Sequence, residues 1–206
     1  MNIITIVGAR PQFIKCAPLS RCILETHKTN KPIHEQILHT GQHYDSNMSD
    51  TFFSELSIPK PKYNLHISEL NHGSMVAKML EKIELILIKE EPKAVVVFGD
   101  TNSTLAGALA SSKLNIPIFH IEAGLRSFNR KQPEEQNRKL TDHLSDVCIA
   151  PTDIAVENLI KEGIEESRIF KTGDIMADSA RLFGSEFEGK SEFLRRSGLY
   201  NKPFII

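Results

Sequence analysis

The sequence predicts a doubly wound α/β domain built on a parallel sheet. Short β-branched runs alternate with amphipathic or alanine-rich helical stretches along nearly the whole chain. The run Val95–Phe98 is apolar without alternation, as expected of a strand covered by helices on both faces. Four strand-like runs end in polar, glycine-containing turns: Gly8-Ala9-Arg10, Gly41-Gln42-His43, Gly99-Asp100-Thr101 and Glu122-Ala123-Gly124. Right-handed crossovers send all four to one edge of the sheet. That edge, beyond the carboxyl ends of the strands, is where open α/β sheets bind ligands.

Each element has a local reason. Asn2–Val7 is a β-branched strand stopped by Gly8. Pro11 suits a first helical turn, so Gln12–Thr26 reads as a helix, with a kink expected at Pro18. Ile33–Thr40 is a second strand, and Asn47–Leu56 a helix that stops before the stiff Ile58-Pro59-Lys60-Pro61 connector. Tyr63–Ile67 is a short strand. Asn71–Glu90 is a long helix whose Val76, Met79, Leu80, Ile83, Ile86 and Leu87 follow three-and-four spacing, a core-facing stripe. Pro92 ends it. After Val95–Phe98 come an alanine-rich helix, Ser103–Leu114, with Asn115 at its stop, and the strand Pro117–Ile121. Pro133–Ser145 is a helix, Val147–Ala150 a strand, and Thr152–Glu162 a helix capped by Thr152. Arg168–Lys171 and Asp174–Phe183 complete the series. Residues 1–184 then form one domain, the polar stretch 185–202 a connecting segment, and 203–206 the start of a truncated second domain.

At 206 residues the chain is long enough for one well-buried domain. Its 25 Lys plus Arg nearly cancel its 26 Asp plus Glu, which removes the electrostatic case for a nucleic-acid or membrane surface. Cys16, Cys22 and Cys148 are odd in number and lack CxxC spacing, so neither a disulfide framework nor a zinc site is expected. The first residues lack a signal-peptide pattern and no apolar run reaches a membrane span. A soluble, cytoplasmic protein is the expectation.

The first turn, GARPQFIK, is neither GxGxxG nor a P-loop. Arg10 and Lys15, beside a helix N-terminus, read either as holders of an anion or as solvated cations. Asp100 reads as a helix cap or as a catalytic acid or base. Glu122 ends an apolar strand where Ala123 and Gly124 leave room for a ligand; it suits proton transfer, or else an ion pair with Arg126. In PEEQNR the spacing offers Glu134–Arg138 and Glu135–Lys139 pairs on a helix face. His39 and His43 make a poor metal pair without a third ligand, and His120 and His143 read as polar packing residues.

Six stretches, GARPQFIKCAPL, HTGQHYD, GDTNSTLAGALAS, HIEAGLRS, PEEQNRKLTDHLSD and TGDIMADS, span nearly the whole chain in order. Together they resemble the non-hydrolysing UDP-N-acetylglucosamine 2-epimerases of bacterial surface-polysaccharide synthesis. The wording of three of them is most similar to the branch that includes UDP-2,3-diacetamido-glucuronic acid 2-epimerases. The resemblance implies a Rossmann-like N-terminal lobe of a two-domain fold like that of the B-type glycosyltransferases. It implies inversion at C2 of a UDP-sugar by elimination and re-addition of UDP, with no cofactor, in a homodimer. By the same resemblance Asp100, Glu122 and Glu134 are the catalytic carboxylates. Arg10, Lys15, Gln42, His43 and Arg138 are the substrate-binding residues. Gln132 departs from the bulky apolar residue many members have before PEE. The second half of such a protein supplies most nucleotide contacts, so these 206 residues alone are expected to be inactive. A B-type glycosyltransferase, a hydrolysing epimerase and a nucleotide-sugar sensor are the other readings.

Overall fold

The computed structural model describes residues 1–42, 53–68, 71–187, 195–200 and 202. Seven strands form one sheet in the order β3-β2-β1-β4-β5-β6-β7, every neighbouring pair parallel. They are β1 (Asn2–Val7), β2 (His34–His39), β3 (Tyr63–Asn64), β4 (Ala94–Phe98), β5 (Ile118–Ile121), β6 (Val147–Ala150) and β7 (Ile169–Lys171). The chain steps outward from β1 through β2 to β3, then returns to lay β4 against the other side of β1. That reversal is the topological switch point, and it opens a crevice between the β1 and β4 ends.

The helices are α1 (Arg10–Thr26), α2 (His72–Glu90), α3 (Asn102–Lys113), α4 (Pro133–Leu144), α5 (Asp153–Lys161) and α6 (Ile175–Phe187). None of the described helices is long and apolar enough to cross a membrane. Strand alternation sorts the core. Ile4, Ile6, Val95 and Val97 pack with Met79, Ile83 and Leu87 of α2 and the alanines of α3. Ile3, Val7, Val96 and Phe98 face the other way, onto Phe13, Cys16, Ala17 and Ile23 of α1 and Phe183 of α6. A third cluster joins Cys148 and Ala150 to Ala155 and Leu159 of α5. Burial on both faces explains why β4 reads as an unbroken apolar run.

The stripe of α2 is the expected one, with Met79, Ile83 and Leu87 buried. Thr152 caps α5 by accepting from the Ala155 N–H, and Asn115 ends α3 in a left-handed conformation. Two expectations change, and Pro18 is accommodated by a distant contact. The Tyr63–Ile67 strand shortens to two residues. Helix α6 runs through Gly184 to Phe187, because a lone glycine weakens a helix without having to end it. Helix α1 continues unbroken through Pro18. Proline has no N–H for the carbonyl four residues back, that of Ile14, and the Ser179 hydroxyl of α6 donates to it instead at 2.8 Å. The sequence-predicted helix 47–56 falls largely outside the described residues, as do His43 and residues 203–206.

Candidate active site

The turns after β1, β2, β4 and β5 lie side by side along the carboxyl edge of the sheet. Lys15 reaches from the second turn of α1, 9% exposed, and its ammonium pairs with the Glu122 carboxylate at the end of β5. Gly99, on the intervening β4 turn, lies directly beside the pair. A methyl group there would sit 3.0 Å from Glu122 Oε2 and 3.6 Å from Lys15 Nζ. The next residue, Asp100, pairs with Arg138 of α4, whose guanidinium also reaches Glu135 at 3.2 Å. Two carboxylates thus stand on adjacent strand ends, each with a cation from a different helix.

The backbone around these acids is held by buried side chains. Gln12 is 1% exposed and uses both ends of its amide. Its oxygen accepts from the Gly8 and Ala9 N–H groups at 2.8 and 3.1 Å. Its nitrogen donates to the Phe98 carbonyl and the Thr104 hydroxyl, both at 2.9 Å. The β1 turn carrying Arg10 is therefore tied to the β4 turn carrying Asp100. The Asn137 amide donates to the Asp100 carbonyl at 2.9 Å. Gly8 touches the start of α3 so closely that a methyl group would lie 2.0 Å from Ser103 Oγ.

Glu122 has φ +74, a left-handed backbone that a glutamate rarely adopts. Such strain costs on the order of 1–3 kcal/mol and persists only where the surroundings impose it. Here the Glu122 and Ala123 N–H groups share the Ile149 carbonyl at 3.1 and 3.0 Å.

Several sequence expectations resolve differently. Arg126 does not pair with Glu122; it forks onto Glu162 and Asp142 instead. Arg138 pairs with Asp100 and Glu135 rather than Glu134, and Lys139 with Glu162 rather than Glu135. The cap of α3 is Thr101, which accepts from the Thr104 N–H at 3.2 Å, so Asp100 is spared that duty. Glu134 is exposed on the first turn of α4, while Glu135 turns inward. Burial pushes the Glu135 carboxyl up, but bonds from Ser127, Arg138 and Phe128 outweigh it and leave it below the usual carboxylate range. The Gln42 carbonyl accepts from the Ser103 N–H and hydroxyl at 3.0 and 2.8 Å, so that end of the side chain serves the α3 N-terminus. Arg10 is exposed at the head of α1. Gln12, Glu135 and Asn137 escape a sequence reading as site supports. Their one visible signal is a polar residue on a helix face that must turn inward.

Residues 25–206 match the sequence model of the family described as UDP-N-acetylglucosamine 2-epimerase. The chain belongs to this family. Among its relatives in the epimerase family, the UDP-2,3-diacetamido-2,3-dideoxy-D-glucuronate 2-epimerase of Pseudomonas aeruginosa is 55% identical over 185 residues, covering 89% of this chain and 51% of the relative. The crystal structure of the Methanocaldococcus jannaschii UDP-GlcNAc 2-epimerase, in complex with UDP-GlcNAc and UDP, superposes with a TM-score of 0.87 at 50% identity. It covers 95% of this chain and 52% of that one. A lipopolysaccharide outer-core galactosyltransferase shares the fold alone, at 18% identity and a TM-score of 0.58. The chain spans about half the length of the epimerases it matches, and its fold is that of a lobe of the glycosyltransferase-B type.

Proposed function

We propose that this chain supplies one wall of the active site of a non-hydrolysing UDP-N-acetylglucosamine 2-epimerase, producing UDP-N-acetylmannosamine for surface polysaccharide. The observation that carries this reading is the pair of cation-matched carboxylates, Glu122 with Lys15 and Asp100 with Arg138, on neighbouring strand ends at the switch point. Inversion at C2 needs a proton removed from one face and another delivered to the opposite face. As the proton goes to a carboxylate, the C2–H electron pair becomes a C1–C2 double bond and the C1–O pair leaves with UDP. Re-addition reverses these movements, with the proton arriving on the other face. Asp100, Glu122 and the exposed Glu134 are the candidates for these transfers.

Leaving diphosphate needs cations, and Arg10 stands at the head of α1, whose N-terminus favours anions, with Lys15 on its second turn. Diphosphate and Glu122 compete for Lys15, so nucleotide binding frees the Glu122 carboxylate as the sugar arrives. Residues 1–184 are the N-terminal lobe, which is inactive without the remainder of an epimerase; Gln42, His43 and Arg138 are its further candidate substrate-binding residues. The whole enzyme works in the cytoplasm as a homodimer, without cofactor. The relationship to the Pseudomonas aeruginosa epimerase favours a second substrate, the 2,3-diacetamido uronic acid analogue.

The test is full-length protein in D2O with UDP-N-acetylglucosamine, followed by NMR. Deuterium at C2 with appearance of the manno epimer is expected. Free N-acetylmannosamine would replace this reading with hydrolysis. Exchange only with the diacetamido uronic acid nucleotide would move the substrate to that sugar, and exchange with neither would end the epimerase reading.

A further inference from the structure

Glu122 is bracketed by one buried carboxylate. Asp142 of α4 has no exposed side-chain surface. Its Oδ1 faces the ring Nδ1 of His120, two residues before Glu122, at 2.6 Å. Its Oδ2 accepts from the N–H of Gly124, two residues after Glu122, at 3.1 Å, and from Arg126 Nη2 at 2.7 Å. The other ring nitrogen of His120, Nε2, faces the Gly99 carbonyl at 2.7 Å. Both imidazole nitrogens therefore face acceptors, and both contacts are hydrogen bonds only if both nitrogens carry protons. The ring is then an imidazolium between a carboxylate and a carbonyl. Arg126, itself without exposed side-chain surface, closes the chain of charges onto Glu162 at 2.6 and 3.0 Å. Burial pushes the Asp142 carboxyl up, but the charges and hydrogen bonds of His120 and Arg126 outweigh it and hold it below the usual range.

We propose that Asp142, His120 and Arg126 form a buried charged clamp that positions Glu122 for proton transfer by imposing its left-handed backbone and tying it to the Gly99 turn. The three are positioning residues: none of the contacts described for them includes Lys15, Asp100 or the Glu122 carboxylate. The clamp works through geometry. It fixes residues 120 and 124 from one side, shared Ile149 bonds fix 122 and 123 from another, and Glu122 is left aimed at Lys15 and Gly99. A neutral amide at 142 would face both the ring and the arginine without its charge, and the strained residue would be free to relax. Misplacement of a reacting group by about 1 Å costs on the order of 100-fold in rate.

The inference rests on the epimerase reading, and two experiments keep the two separable. In full-length protein, Asp142→Asn is expected to lower kcat about 10- to 100-fold while the calorimetric affinity for UDP is unchanged. Arg126→Lys, which keeps a cation on Asp142 and loses the fork on Glu162, is expected to lose less. An unchanged kcat in folded Asp142→Asn protein would overturn the clamp, as would loss of kcat and UDP affinity together. Should that variant fail to fold, the parent decides. NMR of the solvent-excluded ring in 15N-histidine-labelled protein is expected to show both nitrogens protonated in neutral buffer, and a neutral ring would overturn the proposal. Should the parent epimerise no UDP-sugar, the proposed function fails while the ring measurement still decides the charged clamp.

Discussion

Gly124 and Gly163 share a backbone conformation and differ in what surrounds them, so one substitution at each separates two costs. Gly124 has φ +80 and Gly163 has φ +86. An alanine at either position pays for left-handed geometry, on the order of 1–2 kcal/mol. At Gly163 nothing lies within 4 Å of the added methyl group, so that is the whole effect. At Gly124 the methyl group would meet the Ala155 carbonyl oxygen at 2.3 Å and Leu159 Cγ at 3.0 Å. Neither neighbour can step aside, because Ala155 and Leu159 are fully buried in α5 and the Asn158 amide already ties the helix to the Gly124 carbonyl at 3.0 Å. The helix must retreat as a body, an overpacking cost of about 1–3 kcal/mol on top of the backbone term. For a chain of this size each kcal/mol lowers the melting temperature by roughly 2–4 °C. Gly163→Ala in the full-length protein should therefore melt a few degrees below the parent, and Gly124→Ala lower still by several degrees. Thermal denaturation followed by circular dichroism reads both. Equal shifts for the two variants would refute the close approach of α5 to the β5 turn.

Three further outcomes follow from named contacts. Lys15→Gln removes the cation facing Glu122 and Gly99, and steady-state epimerisation should fall at least about 100-fold, as expected for loss of one preorganised charge at a reacting centre. Ser179→Ala deprives the Ile14 carbonyl of the donor that replaces Pro18, and should lower stability by about 1–3 kcal/mol in chemical denaturation. Glu35, on β2, is raised above the usual carboxylate range by burial beneath α1, despite hydrogen bonds from Ser20 and Thr5. The folded state therefore holds the Glu35 proton more tightly than the unfolded chain. Its contribution is fully present below the unfolded value and is lost as pH rises through the folded one. Glu35→Gln should melt higher than the parent at about pH 8, with the gap closing towards about pH 4; a gap that widens on acidification would contradict the burial.

The strands were legible because burial on both faces leaves little choice of residue. The β1 and β6 boundaries agree with the β-branched runs, and β4 differs from its apolar run by one residue. Helix ends were less legible where termination depends on tertiary contacts. A local rule sees that Pro18 leaves the Ile14 carbonyl without its helical donor, but the hydroxyl that satisfies it comes from 161 residues beyond Pro18. The site divides the same way. Asp100, Glu122 and Arg10 announce themselves as charged residues just after apolar runs, with Lys15 close behind on α1, and the edge they share follows from topology. Their pairing does not. Helical spacing offers Glu134–Arg138, Glu135–Lys139 and a local Glu122–Arg126 contact. None of the three forms; the folded chain keeps one local pair, Arg138 with Glu135, and adds pairs between elements, Lys15 with Glu122 across 107 residues and Arg138 with Asp100 across 38. Exposed local pairs contribute a few tenths of a kcal/mol at most, whereas a charge at a buried sheet edge carries a large penalty unless a partner arrives. The buried demand decides the pairing, and it becomes visible only when the strands are in order.

The same imbalance tells which motif residues act and which hold. Gln12 lies in the GARPQFIK stretch and Asp142 in PEEQNRKLTDHLSD, beside residues assigned to chemistry. Each is fully or nearly fully buried, and each uses both ends of its polar group to join two strand-end turns. Gln12 joins the β1 and β4 turns; Asp142, through His120, joins the β4 and β5 turns. The three turns that carry Arg10, Asp100 and Glu122 are thus tied to one another through buried side chains beneath them. An arrangement of this kind holds the backbone through the buried amide and carboxylate and not through the charged groups at the edge. Replacing Gln12 or Asp142 should therefore disturb turnover as much as replacing an exposed acid, even though both side chains are buried.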